Sequence, residues 1–347
     1  MGCGGTHTER TAPTNAIRIM KLNEITIEIT QQCPNCCVHC SSFSGPKKTT
    51  CLSIEKIIEV IDDAKAFGCQ TINISGGEPF LHPGLIQIVE HIVKQGLQCF
   101  IYTSGITLSD GKPTAVSKEV LQQLKGKVTK YIVNVEASDE SSYNRIMGTS
   151  FGGFTMMKRF INEVVGLGEL VEVHFVPMKL NYQQISDVAK MCAEMGISRI
   201  SFLRFVSQGR GLENRKIVQL SEEETRIARQ LMEECVKKNA SAVRIGIPLS
   251  SCNNRTNCMT GTEKLVVRYD GNVYPCEAFK NEFYCDQVQS PPDNVNRARL
   301  EVIYNSSEFL SEVRNINSAF QNLSTCETCV NQYYRNLKTI KDEKVDR

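Results

Sequence analysis

A chain of 347 residues with 41% hydrophobic content can bury one large core, and its length allows two unequal domains. Its 40 basic and 38 acidic residues are spread along the whole length, leaving a net charge of +2 and no basic stripe of the kind a nucleic-acid partner needs. No apolar run approaches the roughly 18 residues of a membrane span and no secretory signal opens the chain, so the sequence reads as cytoplasmic; 16 cysteines in such a chain point to metal or redox chemistry rather than a secreted disulfide scaffold.

Residues 1–20 read as a flexible tail, in which Gly2 and Thr6 stand at the spacing of a myristoylation signal with Cys3 beside them; a small polar terminus accounts for the same residues. From residue 24 short β-branched runs alternate with amphipathic ones. The strands are "EITIEIT" (24–30), "TINIS" (71–75), "QCFIYT" (98–103), "YIVNVEAS" (131–138), "LVEVHFVP" (170–177) and "RISFLRFV" (199–206). Between them Ser53 caps a helix with the apolar face Ile54, Ile57, Ile58 and Ile61 that ends at Gly68, Pro83 sits in a first turn, and Asn181 opens a helix that stops at Gly196. Right-handed crossovers then lay the six strands side by side, giving an α/β fold with a partial (β/α)6 TIM-like barrel over residues 21–215.

A capping box at Ser221 and Glu224 starts a connecting helix, and residues 216–249 link the barrel to a different texture. Residues 250–347 are rich in Asn, Cys, Gly and Pro, with one clear hairpin, "KLVVRYDGNVYPC", turning at Asp270–Gly271. The apolar content reads as too thin to hold this small domain, so its cysteines are expected to do so.

Strands covered on both faces should be almost wholly apolar, yet these carry Glu28, Asn73, Ser75, Asn134, Glu136, His174 and Arg204 at alternating positions. Some could be strand-end or capping residues. Taken together they predict a polar cavity lined by one face of the sheet.

"CPNCCVHC" (33–40) follows the first strand, at the end where a barrel's active-site loops lie. Cys33, Cys37 and Cys40 are spaced so that one loop can aim three sulfurs at one inorganic cluster, whereas structural zinc is usually closed by four ligands in paired short spacings. This stretch resembles the CX3CX2C loop of radical S-adenosylmethionine (radical SAM) enzymes, and "SGGEP" (75–79) resembles that family's GGEP motif. The resemblance covers residues 24 to 206. It implies a 4Fe-4S cluster on the three cysteines with one iron left for the amino and carboxylate groups of SAM, and reductive cleavage to methionine and a 5′-deoxyadenosyl radical that abstracts hydrogen. It also implies SAM contacts from Ser75, Gly76, Gly77, Glu78 and Pro79, from Glu136, Ser138 and Arg145 in the fourth-strand region, and from Phe205 and Val206 in "FLRFVSQGR". Cys36 falls outside the spacing.

A second cysteine group comprises Cys258, Gly271, Cys276 and the "CETC" pair Cys326 and Cys329. It resembles the twitch form of the SPASM domain, whose hairpin and later CX2C implies one auxiliary 4Fe-4S cluster; no CX5CX3C group follows, so a second auxiliary cluster is not expected. Structural zinc on the same four cysteines is the plainer alternative. Cys252 and Cys285 are ordinary buried thiols or, for Cys252, a ligand or hydrogen donor near substrate.

The resemblance implies an enzyme that modifies a ribosomally made peptide by crosslink, thioether or epimerisation, with the auxiliary cluster assisting electron transfer. Oxidation of a small metabolite such as an aminosugar is the second reading, and a non-catalytic metal-binding scaffold, which would not need "SGGEP", the third. Too few residues precede the first strand for the winged helix that often grips a leader peptide, so a separate leader-binding protein is one expected partner; an electron donor such as flavodoxin or ferredoxin is the other.

Overall fold

The computed structural model describes residues 21–149, 152–246, 258–281, 285–323, 325, 327 and 329–345. Gly2, Cys3, Thr6, Cys252 and Cys326 lie outside them, and with them the expectations attached to the tail, to a hydrogen donor at Cys252 and to a ligand at Cys326.

β1 (Glu24–Thr30), β2 (Thr71–Gly76) and β3 (Gln98–Thr103) are joined through α1 (Ile54–Ala66) and α2 (Leu85–Lys94). A hairpin of β4 (Ile106–Ser109) and β5 (Lys112–Ala115), then α3 (Lys118–Leu124), lead to β6 (Lys130–Asn134). Next come α4 (Glu140–Met147), α5 (Gly153–Gly166), β7 (Val171–Phe175), α6 (Ile185–Glu194) and β8 (Arg199–Phe202). The chain continues through α7 (Arg210–Glu213), α8 (Arg215–Val218), α9 (Glu222–Lys238) and β9 (Val243–Ile245). Its last part holds β10 (Lys264–Val267), β11 (Val273–Tyr274), α10 (Leu300–Ser306), α11 (Glu308–Gln321) and α12 (Val330–Val345).

The expected strands lie side by side and parallel, in the order β1-β2-β3-β6-β7-β8. The last three end sooner than the sequence suggests, at Asn134, Phe175 and Phe202, because the chain leaves the ladder there and bends into loops. Ser53 caps α1 as expected, accepting from the Lys56 amide at 3.2 Å, and the chain leaves the helix through Gly68 at φ +83°. Pro83 stands ahead of α2 rather than in its first turn; the proline that opens a turn is Pro79, at the start of a short 3-10 turn capped by Glu78.

The C-terminal region departs most from expectation. Its hairpin forms, but β10 pairs parallel to β1, setting Glu24–Ile27 against Lys264–Val267, so the sheet has nine strands, with β11 at one end and β9 at the other. Nor do cysteines alone hold this region. Leu300, Ile303 and Tyr304 of α10 and Phe309, Leu310, Val313, Ile316 and Phe320 of α11 are buried, at the i, i+3, i+4, i+7 spacing of an apolar helix stripe. They join the barrel's hydrophobic residues in one continuous core.

Candidate functional site

At the C-terminal ends of the strands lies a cavity of about 310 Å³, a size suited to a small-molecule ligand. Cys33, Cys37 and Cys40 stand in its wall, and so do Ser75, Gly76, Gly77, Phe205 and Val206. Of the alternating polar strand positions Glu28, Ser75, Asn134 and Arg204 reach it. Asn73 instead hydrogen-bonds toward Thr26 and Glu24, and His174 faces Glu172.

The cysteine loop is tied from two sides. The Cys36 amide donates to the Met147 carbonyl at 3.1 Å and the Val38 amide to the Ile146 carbonyl at 2.9 Å, so the end of α4 supports the loop. Gly148 makes this possible: at φ +56°, a Cβ there would lie 2.4 Å from the Cys36 carbonyl oxygen. On the other side Arg210 donates through Nη1 to the Cys37 carbonyl at 2.8 Å and through Nη2 to the Ser44 carbonyl at 2.6 Å. Asn214 Nδ2 adds a bond to the Val38 carbonyl at 2.9 Å. Sequence reasoning assigned no role to Gly148, Arg210 or Asn214.

The paired glycines of "SGGEP" serve a close approach of backbone to backbone. The Gly77 amide donates to the Thr30 carbonyl at 2.6 Å and the Glu78 amide to the Gln32 carbonyl at 2.8 Å, locking the turn after β2 to the residues that lead into Cys33. A Cβ on Gly77 would sit 2.0 Å from the Gln32 carbonyl oxygen. We expect Gly77→Ala to push the cysteine loop out of place and lower the iron bound after anaerobic reconstitution by about half, one cube's worth of two; a variant with the full iron content would show that the turn can relax.

Glu78 itself turns away from the cavity. Its carboxylate is buried and accepts from Thr103 Oγ1 at 2.6 Å, Ser104 Oγ at 2.7 Å and the Ser104 amide at 2.9 Å; burial raises its pKa against the pull of those bonds. Glu136 also lies behind the wall, fully buried, accepting from the Val176 amide at 2.9 Å and facing His39 Nε2 at 3.3 Å. His39 does line the cavity. Ser138 is bonded through its amide and hydroxyl to Gln184 Oε1, and Arg145 is exposed on α4. Neither these two nor Pro79 is among the lining residues.

The thiols ask for positive charge. Burial pushes Cys33 well above the ordinary thiol range, with Cys37, Glu78 and Cys40 adding to it, and burial with Cys40 does the same to Cys37. No three Cys, His, Asp or Glu groups among the described residues close up on a single metal ion, and every described cysteine is a free thiol. Three sulfurs around a cavity rather than around a point suit a cluster, whose irons spread the ligands apart and supply the charge. The cavity also has buried polar atoms without a hydrogen-bond partner, among them both polar side-chain atoms of Asn35, Ser44 Oγ and Glu28 Oε2. A polar ligand carrying amine and carboxylate groups fits them.

The far side of the cavity comes from the C-terminal region. Lys280, only 4% exposed, donates from Nζ to Glu28 Oε1 at 2.5 Å and to Ser42 Oγ at 2.8 Å. Arg268 holds the Lys280 carbonyl at 3.0 Å, and Tyr269 OH donates to the Ser42 carbonyl at 3.0 Å. Glu277 Oε1 accepts from Thr26 at 3.0 Å and its Oε2 faces Lys264 at 3.0 Å. The second cysteine group gathers behind this wall: burial raises Cys276, then Cys258 and Cys329 add to it, and Cys258 is raised by burial and by Cys329. Cys36 is exposed, while Cys285 is buried in contact with Tyr334.

Residues 27–220, more than half of the chain, match the radical SAM superfamily, and residues 258–330 match the SPASM iron-sulfur cluster-binding domain. The chain belongs to the radical SAM superfamily. Its cofactors are those of that superfamily and domain: SAM with a 4Fe-4S cluster, and an auxiliary 4Fe-4S cluster. Among curated relatives, the antilisterial bacteriocin subtilosin biosynthesis protein AlbA of Bacillus subtilis is 27% identical over 74% of this chain, which spans 55% of that protein's length. PqqA peptide cyclase of Gluconobacter oxydans is 24% identical over 86% of this chain and 81% of its own. The fold is shared with Streptococcus suis SuiB bound to S-adenosylmethionine, at TM-score 0.69 and 15% identity over 89% of this chain and 72% of that one. No helix among the described residues is long and apolar enough to cross a membrane.

Proposed function

We propose that this radical SAM chain modifies a ribosomally made peptide in the cytoplasm. The carrying observation is the cavity itself, walled on one side by the loop of Cys33, Cys37 and Cys40 and on the other by Glu277 and Lys280 of the region that holds the second cysteine group. When bound, SAM and the cluster on those three cysteines supply a 5′-deoxyadenosyl radical that takes a hydrogen atom from carbon. Ser75, Gly76, Gly77, Phe205 and Val206 bound the SAM side of the cavity, and Glu136 steadies His39 against it. The loop's ties to α4 and Arg210 keep the ligands aimed, and the surrounding walls exclude water.

A crosslink or thioether removes two hydrogens from the peptide. One leaves as an atom, the other as a proton and an electron, and the electron needs an acceptor. That role falls to the auxiliary site of Cys258, Cys276, Cys326 and Cys329. The printed names of the relatives, a bacteriocin biosynthesis protein and a peptide cyclase, and SuiB bound to precursor peptide SuiA, support a peptide over a small metabolite.

The test is anaerobic incubation with SAM, flavodoxin or dithionite, and synthetic precursor peptides from neighbouring genes. A peptide lighter by a pair of hydrogens, or one of unchanged mass in ordinary water that gains a single deuterium in heavy water, is expected. Deoxyadenosine formed while every peptide stays unchanged and an aminosugar is dehydrogenated would replace this reading by metabolite oxidation. With Cys326 and Cys329 both changed to alanine, deoxyadenosine should persist while crosslinked product is lost; a double variant that still makes normal product would remove the electron-acceptor role.

A further inference from the structure

Arg204 follows β8 and lines the cavity. It also lines the narrow crevice behind it, together with Ser207, Gln208, Ala278, Cys329 and Asn331. One guanidinium is therefore shared by the substrate cavity and the second cysteine group. Its Nη1 donates to Glu327 Oε1 at 2.8 Å, and that same oxygen accepts from the Cys329 amide at 2.9 Å. Glu327 stands inside the "CETC" pair, and its carboxylate ties Cys329 to the arginine. Both side chains are largely out of water, at 19% and 16% exposure.

The guanidinium keeps its positive charge at any working pH; it faces the Glu327 carboxylate and shares its crevice with Cys329. Arg204 Nε is buried and has no hydrogen-bond partner. An arginine held only for stability would gain little from such a pair at the surface, where water screens it. Out of water, a fixed cation against a cluster thiolate acts on the cluster: it stabilises the form that carries the extra electron, and hydrogen bonds to ligand sulfur do the same.

We propose that Arg204, anchored on Glu327, is a positioning residue that sets the reduction potential of the auxiliary cluster, making it a better acceptor for the electron that leaves the substrate. The balance is simple: the substrate carbon radical forms its new bond to a second group of the peptide, that group's proton passes to solvent, and the oxidised auxiliary cluster takes the remaining electron. This rests on the two-cluster reading above and adds to it the residue that tunes the acceptor.

The test is a redox titration of the anaerobically reconstituted full chain, followed by electron paramagnetic resonance, on Arg204→Met, Arg204→Lys and Glu327→Gln. Loss of the cation in Arg204→Met should move the auxiliary potential downward while the SAM-binding cluster keeps its own. Arg204→Lys, which retains charge on a shorter reach, should fall between Met and Arg. Glu327→Gln, which removes the opposing charge but keeps an acceptor oxygen, should move it upward. Loss of packing alone gives no such opposite signs. Unmoved auxiliary potentials in Arg204→Met and Glu327→Gln at full iron content, or equal movement of both clusters, would overturn the proposal. If Arg204→Met fails to load its auxiliary cluster, Glu327→Gln decides: an upward shift supports the proposal, and no shift or a downward one ends it. An iron content near four rather than about eight in the unaltered chain would overturn the two-cluster reading itself, and this proposal with it.

Discussion

Changing Cys33, Cys37 or Cys40 to alanine is expected to abolish deoxyadenosine formation, a loss well beyond the roughly hundredfold that follows removal of a residue supporting a metal ligand. The expectation comes from how the loop is held. Its shape depends on backbone bonds to Ile146 and Met147 and on the side chains of Arg210 and Asn214, none of which involves a sulfur. Removing one sulfur therefore takes away a ligand and leaves the loop standing. Each variant should stay folded, with a melting temperature in the iron-free state close to the parent's, while about half of the iron and all of the SAM cleavage are lost together. Cys36→Ala is the control: Cys36 is exposed and outside the ligand spacing, so iron and SAM cleavage should be kept. A Cys33 variant that cleaves SAM at the parent's rate would remove the assignment of the cluster to this loop.

Lys280→Met is expected to give the largest stability loss of any single change near the site. Lys280 and Glu28 form an ion pair in which neither side chain is more than 5% exposed, and Ser42 completes it. Taking away the ammonium strands a buried carboxylate, a defect that costs about 3–5 kcal/mol. Arg268 Nε, 3.8 Å from Glu28 Oε2, relieves part of this, so the low end applies. The melting temperature should fall by about 4 °C. Glu28→Gln combined with Lys280→Met should recover most of the loss, since the stranded charge is then gone. A single variant as stable as the parent would mean that Glu28 finds another partner or takes up a proton without cost.

The barrel was legible because its strands and helices carry local signals: β-branched runs, Ser53 and Ser221 as caps, Gly68 as a stop. The β4–β5 hairpin carried one too, in Asp110–Gly111 with φ +49° and +73°, and went unread among the βα units. The pairing of β10 with β1 had none, because two strands separated by more than two hundred residues share no sequence pattern that announces a parallel ladder. The apolar stripe of α10 and α11 was present in residues 300–320 but masked by the Asn- and Cys-rich context. At the site, the motif cysteines and glycines were readable from spacing. The supports were not, since Arg210, Asn214 and Lys280 reach the cysteine loop from residues far along the chain and depend on the finished fold. Ser138 and Arg145, which the resemblance places at the cofactor, instead bond to Gln184 and lie exposed on α4, respectively, and the end of α4 carries the loop.

The ladder between β10 and β1 bears on how such a protein can be inherited. Without residues 264–267, the backbone groups of Glu24–Ile27 facing them would be left unpaired along an otherwise buried strand, a ready template for the strand of another molecule. The amino-terminal half made alone would therefore be prone to self-association whatever its chemistry. Recombination could not trade the C-terminal half as a free module: any replacement would have to bring a strand of the same length, direction and register. The two halves are in this sense heritable only as a matched set, joined by a four-residue main-chain ladder as well as by the side chains that meet across it.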